Sequence, residues 1–219
     1  MGDNKNKLNV IIAIGCLWGL SEAAGGLYLR GSCARFLSGS ILVGTTIFFL
    51  SMGFSFGRRF LPVLLLPVIA AVFKLFDAAL LHLPILHGEI INPIYGLFTE
   101  TLAFIAILLL FASTLRENWL GRAMIGAFAA LLAVNLFPTV GYVTGIPACT
   151  YQATQIPLSI WGAPVAIAAS FLTCPLGFFL GEKLATVSLL PGQKKIQLVW
   201  LSSSALSLIC LVGLLLLRL

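Results

Sequence analysis

Seven continuous apolar runs constrain the fold more than any other feature of the chain. Each run is about twenty residues long, which is the length that an α-helix needs to cross the hydrocarbon core of a bilayer. The runs cover residues 8–29, 36–56, 60–81, 96–114, 120–140, 159–181 and 197–217. Because their apolar residues are continuous and do not alternate with polar ones, they exclude a β-barrel and predict membrane-spanning helices.

The composition is that of a protein whose solvent is the bilayer. Of the 219 residues, 60% are hydrophobic and only 9% are charged, whereas a soluble domain carries about 25% charged residues. No part of the chain shifts to a soluble composition. We therefore predict an all-α, polytopic membrane helix bundle that forms one domain over residues 1–219, with a six-helix core at 8–182 and an additional C-terminal helix at 197–217.

The distribution of lysine and arginine predicts the orientation of the chain. With the N-terminus in the cytoplasm, nine basic residues fall in cytoplasmic segments and three in outer segments, as the positive-inside rule requires. The cytoplasmic set is Lys5, Lys7, Arg58, Arg59, Arg116, Arg122, Lys183, Lys194 and Lys195, and the outer set is Arg30, Arg35 and Arg218. The net charge of +6 thus indicates a protein of the cell membrane, plasma or inner, and not a nucleic-acid partner.

Several chemical motifs are missing from the sequence. It contains no G-x-x-x-x-G-K-[ST] loop, so the chain is not expected to bind and hydrolyse ATP alone. It also contains neither a Ser-His-Asp order nor H-E-x-x-H, and we predict no enzymatic activity and no cofactor. The five cysteines have no zinc-finger spacing. A disulfide between Cys33 and Cys149, which lie on the same predicted side, remains an open alternative.

The densest group of ionisable residues lies within 73–100, with a further acid in the first span. At 1.5 Å per residue, polar groups on four separate spans lie roughly 6–11 Å from the outer boundary. These groups are Glu22, Lys74, Asp77, Glu100 and Asn135. Because such groups are costly in lipid and normally face a bundle interior or a wet cavity, their shared depth predicts one shared site that opens towards the outside.

The charges of this predicted site do not balance. Three acids meet one base, which leaves two negative charges if all of them ionise. A protonated carboxyl or a cationic ligand would restore the balance. The aromatic residues Trp18, Tyr95 and Tyr142 are candidates for stacking or cation–π contact with such a ligand, and Asn92 is a further candidate binding residue. A purely structural alternative stays open, in which Lys74 pairs with its neighbouring acids and joins the helices.

Two outer segments are candidates for a rim or lid of the site. His82, His87 and Glu89 fall in a predicted outer loop and are only weak candidates for metal ligands, because the two histidines lack the helical i, i+4 spacing. We therefore predict no metal site. The uncharged loop at 141–159 would either fold back over a pocket or lie among the lipid headgroups.

Three segments carry a resemblance to a known family. The stretches WGLSEAAGG, GRRFLPVLLLPVIAAVFKLFD and NPIYGLFTE resemble S-component-like membrane proteins of energy-coupling factor transporters, over residues 8–182. The resemblance implies a subunit that captures a vitamin-like solute outside, with a separate transmembrane coupling protein and two ATPases as partners. Gly15, Gly19 and Ala23 would then form a docking face for the coupling protein. The seventh span departs from the six-span pattern of this family.

Three classes of function follow from the sequence. The first is solute uptake by a binding subunit. The second is a membrane enzyme or redox protein that uses the acid cluster and the loop cysteines. The third is a small cation transporter or channel in which Glu22, Asp77 and Glu100 line a path. The few polar groups in the inner half of the predicted bundle count against a continuous channel.

Overall fold

The computed structural model describes residues 2–31, 37–151, 154–188, 205–213 and 215–216, and these are almost wholly helical. The helices are α1 (Gly2–Gly31), α2 (Ser38–Gly57), α3 (Phe60–Leu80), α4 (Gly88–Leu115), α5 (Trp119–Leu136), α6 (Val140–Thr144), α7 (Leu158–Trp161) and α8 (Ala163–Ser188). Six helices of this part of the chain are long and apolar enough to cross a membrane. The prediction of an all-helical polytopic bundle is therefore confirmed.

The outward faces of these helices are apolar. Leu109 and Leu110 of α4 are each 68% exposed, and large exposed hydrophobic side chains recur on the other long helices. A water-facing protein would bury such surface. The exposed faces are therefore surfaces for contact with lipid.

The fourth span begins earlier than the sequence predicts. Helix α4 starts at Gly88, where residue 96 was the predicted start. The His87 ring nitrogen Nδ1 accepts a hydrogen bond from the Glu89 N–H at 3.3 Å, which caps the new helix end. Pro93 lies inside α4 and removes one backbone hydrogen bond near its outer end. Asn92, Tyr95 and Glu89 are thus helical residues and not loop residues.

The C-terminal segment packs on the first helix. Residues 205–213 are helical, and Cys210 is buried in a small cluster with Cys16, Ala23 and Phe73. The predicted seventh span ran from 197 to 217, and its residues 197–204, 214 and 217 lie outside the described residues. That residues 197–217 cross the membrane as a seventh helix stays a prediction.

Helix α2 is the central element of the bundle. It makes its most extensive contacts with α8 and also packs against α1, α3, α4 and α5. Between Val43 and Phe56 nearly all of its residues are buried. Over this stretch the other helices surround α2, so its buried hydroxyls, among them Thr46, lie inside the protein.

Glycines bring α2 and α8 into close contact. Gly177 and Gly181 form a G-x-x-x-G pair in α8, and they lie against the backbone carbonyls of Phe48 and Met52. Two hydrogen bonds cross the same seam: Thr173 Oγ1 donates to the Gly44 carbonyl at 2.7 Å, and Ser55 Oγ donates to the Phe178 carbonyl at 2.9 Å. Small residues let helix backbones approach in a membrane, where the hydrophobic effect does not drive helix association.

The small-residue stripe of α1 is used within the chain, which corrects its assignment as a docking face. A side chain at Gly15 would meet Ile69, and one at Gly19 would meet the Phe73 ring. Ala23 is also fully buried. Helix α3 therefore occupies the surface that was predicted to receive a coupling protein.

The α2–α8 seam gives a direct test of this packing. A methyl group at Gly181 would meet the Met52 carbonyl and lie 2.8 Å from Ser55 Cβ, so we expect Gly181→Ala to lower the free energy of unfolding by about 1–3 kcal/mol. Gly39→Ala is the matched control, because nothing lies within 4 Å of a methyl group there. Thermal unfolding in detergent would compare them, and equal midpoints would contradict the seam.

Candidate functional site

A buried polar cluster lies where four long helices meet. Glu22 of α1 is 4% exposed, Lys74 of α3 is 5% exposed, and Asp77 of α3 is 1% exposed. Thr46 of α2 is also fully buried, and Glu100 contributes from α4. Ionisable groups at such depth are expensive unless they pair or line a site. The structure thus brings together four of the predicted residues and adds Thr46.

Lys74 ties the third helix to the first. Its Nζ lies 3.4 Å from Asp77 Oδ2, one turn further along α3, and it donates to the backbone carbonyl of Glu22 at 3.3 Å. It also attracts the Glu22 carboxylate electrostatically. One lysine therefore serves two acids, in agreement with the predicted charge imbalance.

Trp18 holds the Glu22 carboxylate from the other side. The indole Nε1 donates to Glu22 Oε1 at 3.4 Å, one helical turn away. The indole ring is fully buried and stacks on Phe49 with ring centroids 6.4 Å apart. In this structure Trp18 is a packed wall of the cluster, and its N–H is the group directed at the acid.

Glu22 and Glu100 face the same small region from opposite helices. They are close enough to repel each other, and the Thr46 side chain lies beside both carboxylates. The Thr46 hydroxyl is buried, and within the described residues it makes no hydrogen bond of ordinary geometry, although both carboxylates lie close enough to compete for its proton. Because a hydroxyl donates only one hydrogen bond, it cannot satisfy both acids at once.

Glu100 is the most accessible acid of the cluster. It is partly exposed, whereas the other two acids are buried. Above it, Tyr95 shares a hydrogen bond with Thr139 at 2.5 Å and makes an edge contact with Phe137 at 6.3 Å between ring centroids. Tyr95 thus joins α4 to the 3₁₀ turn that follows α5. This aromatic pair forms the outer rim next to Glu100.

Two described parts of the uncharged loop pair with each other, on either side of residues 152–153. Leu158 N–H donates to the Cys149 carbonyl, and Tyr151 N–H donates to the Ile156 carbonyl, both at 2.9 Å. The Tyr151 ring stacks on Trp161 with centroids 4.6 Å apart. Cys149 is a free, exposed cysteine, and Cys33, its suggested partner, lies outside the described residues.

Two predicted site residues lie outside the cluster. Asn135 is exposed, and its amide donates to the Leu131 carbonyl of its own helix at 2.7 Å. Tyr142 is 94% exposed. Asn135 was placed in the cluster by its depth, which does not give the direction in which a side chain points, whereas Tyr142 was proposed only as an aromatic residue of the neighbouring loop. The fifth helix therefore contributes to the rim through the turn at its end and not to the cluster.

The remaining candidates lie at the outer end of α4. Asn92 is half-buried, and its Oδ1 has no hydrogen-bond partner among the described residues. His87 caps α4, as stated above, and His82 is exposed with a left-handed backbone angle of +52°. Within the described residues, no group of three His, Cys, Asp or Glu side chains converges as metal ligands.

Two features of the structure were not predicted from the sequence. Thr46 was not among the predicted site residues, because hydroxyls are common in membrane helices. Arg122 of α5 was assigned to orientation, yet it forms a two-point ion pair with Glu182 of α8, with N–O distances of 3.1 and 2.7 Å. The only sequence signal for this pair was an acid near the inner end of the sixth span.

The fold and the cluster together define a polytopic helical membrane protein with an acidic interior site. Comparisons with protein-family models, with curated proteins and with solved structures give no match to this chain.

The contacts of Lys74 predict that replacing this lysine, the one base of the cluster, strongly lowers the stability of the fold. Lys74→Met would remove the positive charge that lies beside the two buried acids Glu22 and Asp77, so we expect the free energy of unfolding to fall by about 3 kcal/mol. Lys183→Met is the control, because Lys183 is exposed at the other end of the bundle, and it should change stability by less than about 1 kcal/mol. Thermal unfolding in detergent would test both. A stable Lys74→Met protein would show that the acids do not depend on Lys74.

Proposed function

We propose that this protein is a membrane-embedded substrate-binding subunit for the uptake of a small, vitamin-like solute with a cationic group. The solute would bind near the outer face of the cell membrane, and a separate ATP-driven module would release it inside. One observation carries the proposal: the buried Thr46 side chain lies beside the carboxylates of both Glu22 and Glu100, and its single hydroxyl proton can be donated to only one of them at a time.

The charges support a cationic ligand. Lys74 contacts the Asp77 carboxylate and the Glu22 backbone, whereas Glu100 has only like charge and a hydroxyl beside it. A buried charge without a partner is strongly unfavourable. A protonated amine or a ring cation placed between Glu22 and Glu100 would offset one of the two unbalanced negative charges, and an amine N–H would donate to the Thr46 hydroxyl oxygen.

Because Glu100 is more exposed than Glu22 and Asp77, entry of the solute from the Glu100 side is supported. The rim beside Glu100 is made of Tyr95 and Phe137, whose rings suit cation–π contact. The interior is closely packed, so binding would require the turn after α5 to move away from Tyr95. The hydrogen bond between Tyr95 and Thr139 is the contact that would open.

The sequence supports a partner that supplies energy. It lacks a phosphate-binding loop, and its resemblance to S components of energy-coupling factor transporters implies a coupling protein and two ATPases. The face formed by Gly15, Gly19 and Ala23 is not retained as their docking surface, because α3 covers it.

A small cation carrier is the second candidate. Two neighbouring carboxylates with a hydroxyl between them would suit a single bound cation. A continuous channel is less well supported. Towards the inner end of α2, the Ser51 and Ser55 hydroxyls donate to backbone carbonyls at 2.9 Å, so they are engaged in helix packing and not directed at a water path.

The proposal is tested by the small molecule that accompanies the purified protein. Mass spectrometry would identify it, and its retention would then be compared among variants. We expect Glu22→Gln, Asp77→Asn and Glu100→Gln each to weaken binding about tenfold or more, because each removes a charge from the site, while expression stays intact.

Two controls separate the cluster from its surroundings. Glu89→Gln removes an exposed acid from the same helix as Glu100, and Asn135→Ala changes a polar residue that faces away from the cluster. Neither should alter retention. Normal binding by all three cluster variants would show that the pocket is misplaced, and turnover by the protein alone would favour an enzyme.

A further inference from the structure

A second polar site lies at the opposite end of the bundle from the acid cluster. A cavity of about 20 Å³ opens where α2 and α4 end, beside the last turns of α8. Such a volume holds about one water-sized group. The cavity is lined by Phe54, Ser55, Arg58, Arg116, Phe178 and Glu182.

Backbone geometry holds one arginine at the cavity. Arg58 ends α2 in the left-handed conformation, with φ +49°, and its N–H donates to the Phe54 carbonyl at 2.7 Å. Glycine is the usual residue at such a position, because a side chain there is strained. This chain places a guanidinium at the strained position, directly at the mouth of the cavity.

A second arginine reaches the cavity from the α4–α5 connection. The Arg116 guanidinium lies over the Phe54 ring, with 5.8 Å from Cζ to the ring centroid. The Arg116 carbonyl accepts a hydrogen bond from Arg122 Nε at 2.9 Å. The connection is thus fixed against both α2 and α5, and the Arg116 side chain has a defined place.

The one acid at the cavity is already neutralised. Both Glu182 oxygens accept from Arg122, at 2.7 and 3.1 Å, and the Arg122 guanidinium covers the Phe178 ring at 5.2 Å. The nearby Glu117 is exposed and does not line the cavity. The lining therefore carries an excess of two positive charges, from Arg58 and Arg116.

We propose that this cavity binds the phosphate of an anionic phospholipid. One phosphate oxygen would enter between Arg58 and Arg116, which are suited to this by their fixed donor geometry. The acyl chains would lie along the exposed apolar face of α4, where Leu109 and Leu110 precede Arg116 by one to two turns. The exposed Trp119 at the start of α5 places this level at the headgroups, which favours a lipid over a soluble anion.

Native mass spectrometry of the full chain with added lipid tests the proposal. Phosphatidylglycerol and phosphatidylcholine would be compared, since both carry a phosphodiester but only the first has a net negative charge. We expect Arg58→Gln and Arg116→Gln each to reduce retention of phosphatidylglycerol about fivefold. Arg59→Gln is the matched control, because Arg59 is the exposed neighbour of Arg58 and does not line the cavity.

Three outcomes would overturn the site. If Arg59→Gln reduced retention of phosphatidylglycerol as much as Arg58→Gln does, the effect would come from general surface charge and not from the cavity. If the protein retained phosphatidylcholine equally well, the cavity would not select an anionic lipid. Displacement of phosphatidylglycerol by inorganic phosphate, at constant ionic strength, would assign the cavity to a soluble anion. Arg58→Lys is the control for a folding defect at this position. It keeps the positive charge at the strained residue and should retain most of the phosphatidylglycerol.

Discussion

The close approach of α2 and α8 is the constraint on which the rest of the bundle depends. Two glycines of α8 rest against carbonyls of α2, and hydroxyls donate across the seam in both directions. In a bilayer, such van der Waals contact and hydrogen bonding must supply the association that water would drive in a soluble protein. With α8 against one side, the other helices pack around the remaining faces of α2, so that Thr46 is placed in the interior.

The two ends of the molecule have opposite electrostatic characters. At one end, Lys74 lies beside Glu22 and Asp77, while Glu100 lies beside Glu22, so three acids share one base. At the other end, Arg58 and Arg116 flank a cavity whose acid is already paired with Arg122. Each end therefore has an unbalanced charge that a ligand of opposite sign would complete. The packed hydroxyls of α2 lie between them and separate the two sites.

The sequence predicts those properties that the bilayer itself imposes. Span length and the grouping of Glu22, Lys74, Asp77 and Glu100 follow from the cost of placing polar groups in lipid, and both were predicted. Rotation about a helix axis is set by packing, so Asn135 was placed in the cluster although its side chain faces away from it. A small-residue stripe indicates a close neighbour but not which one, and for Gly15 and Gly19 the neighbour is α3. Thr46 was missed because a hydroxyl commonly bonds its own helix backbone and carries little information alone.

The seam between α2 and α8 also has a consequence for biosynthesis. Roughly 130 residues lie between the end of α2 and the end of α8, so a ribosome adding about 5–20 residues per second completes α8 about 7–26 s after α2. During that interval the α2 groove, with its carbonyls and hydroxyls, has no native partner within the nascent chain. The interval between synthesis of a helix and synthesis of its main contact partner is therefore longest for α2, the central helix. Insertion of α8 is the step that completes the packing around α2.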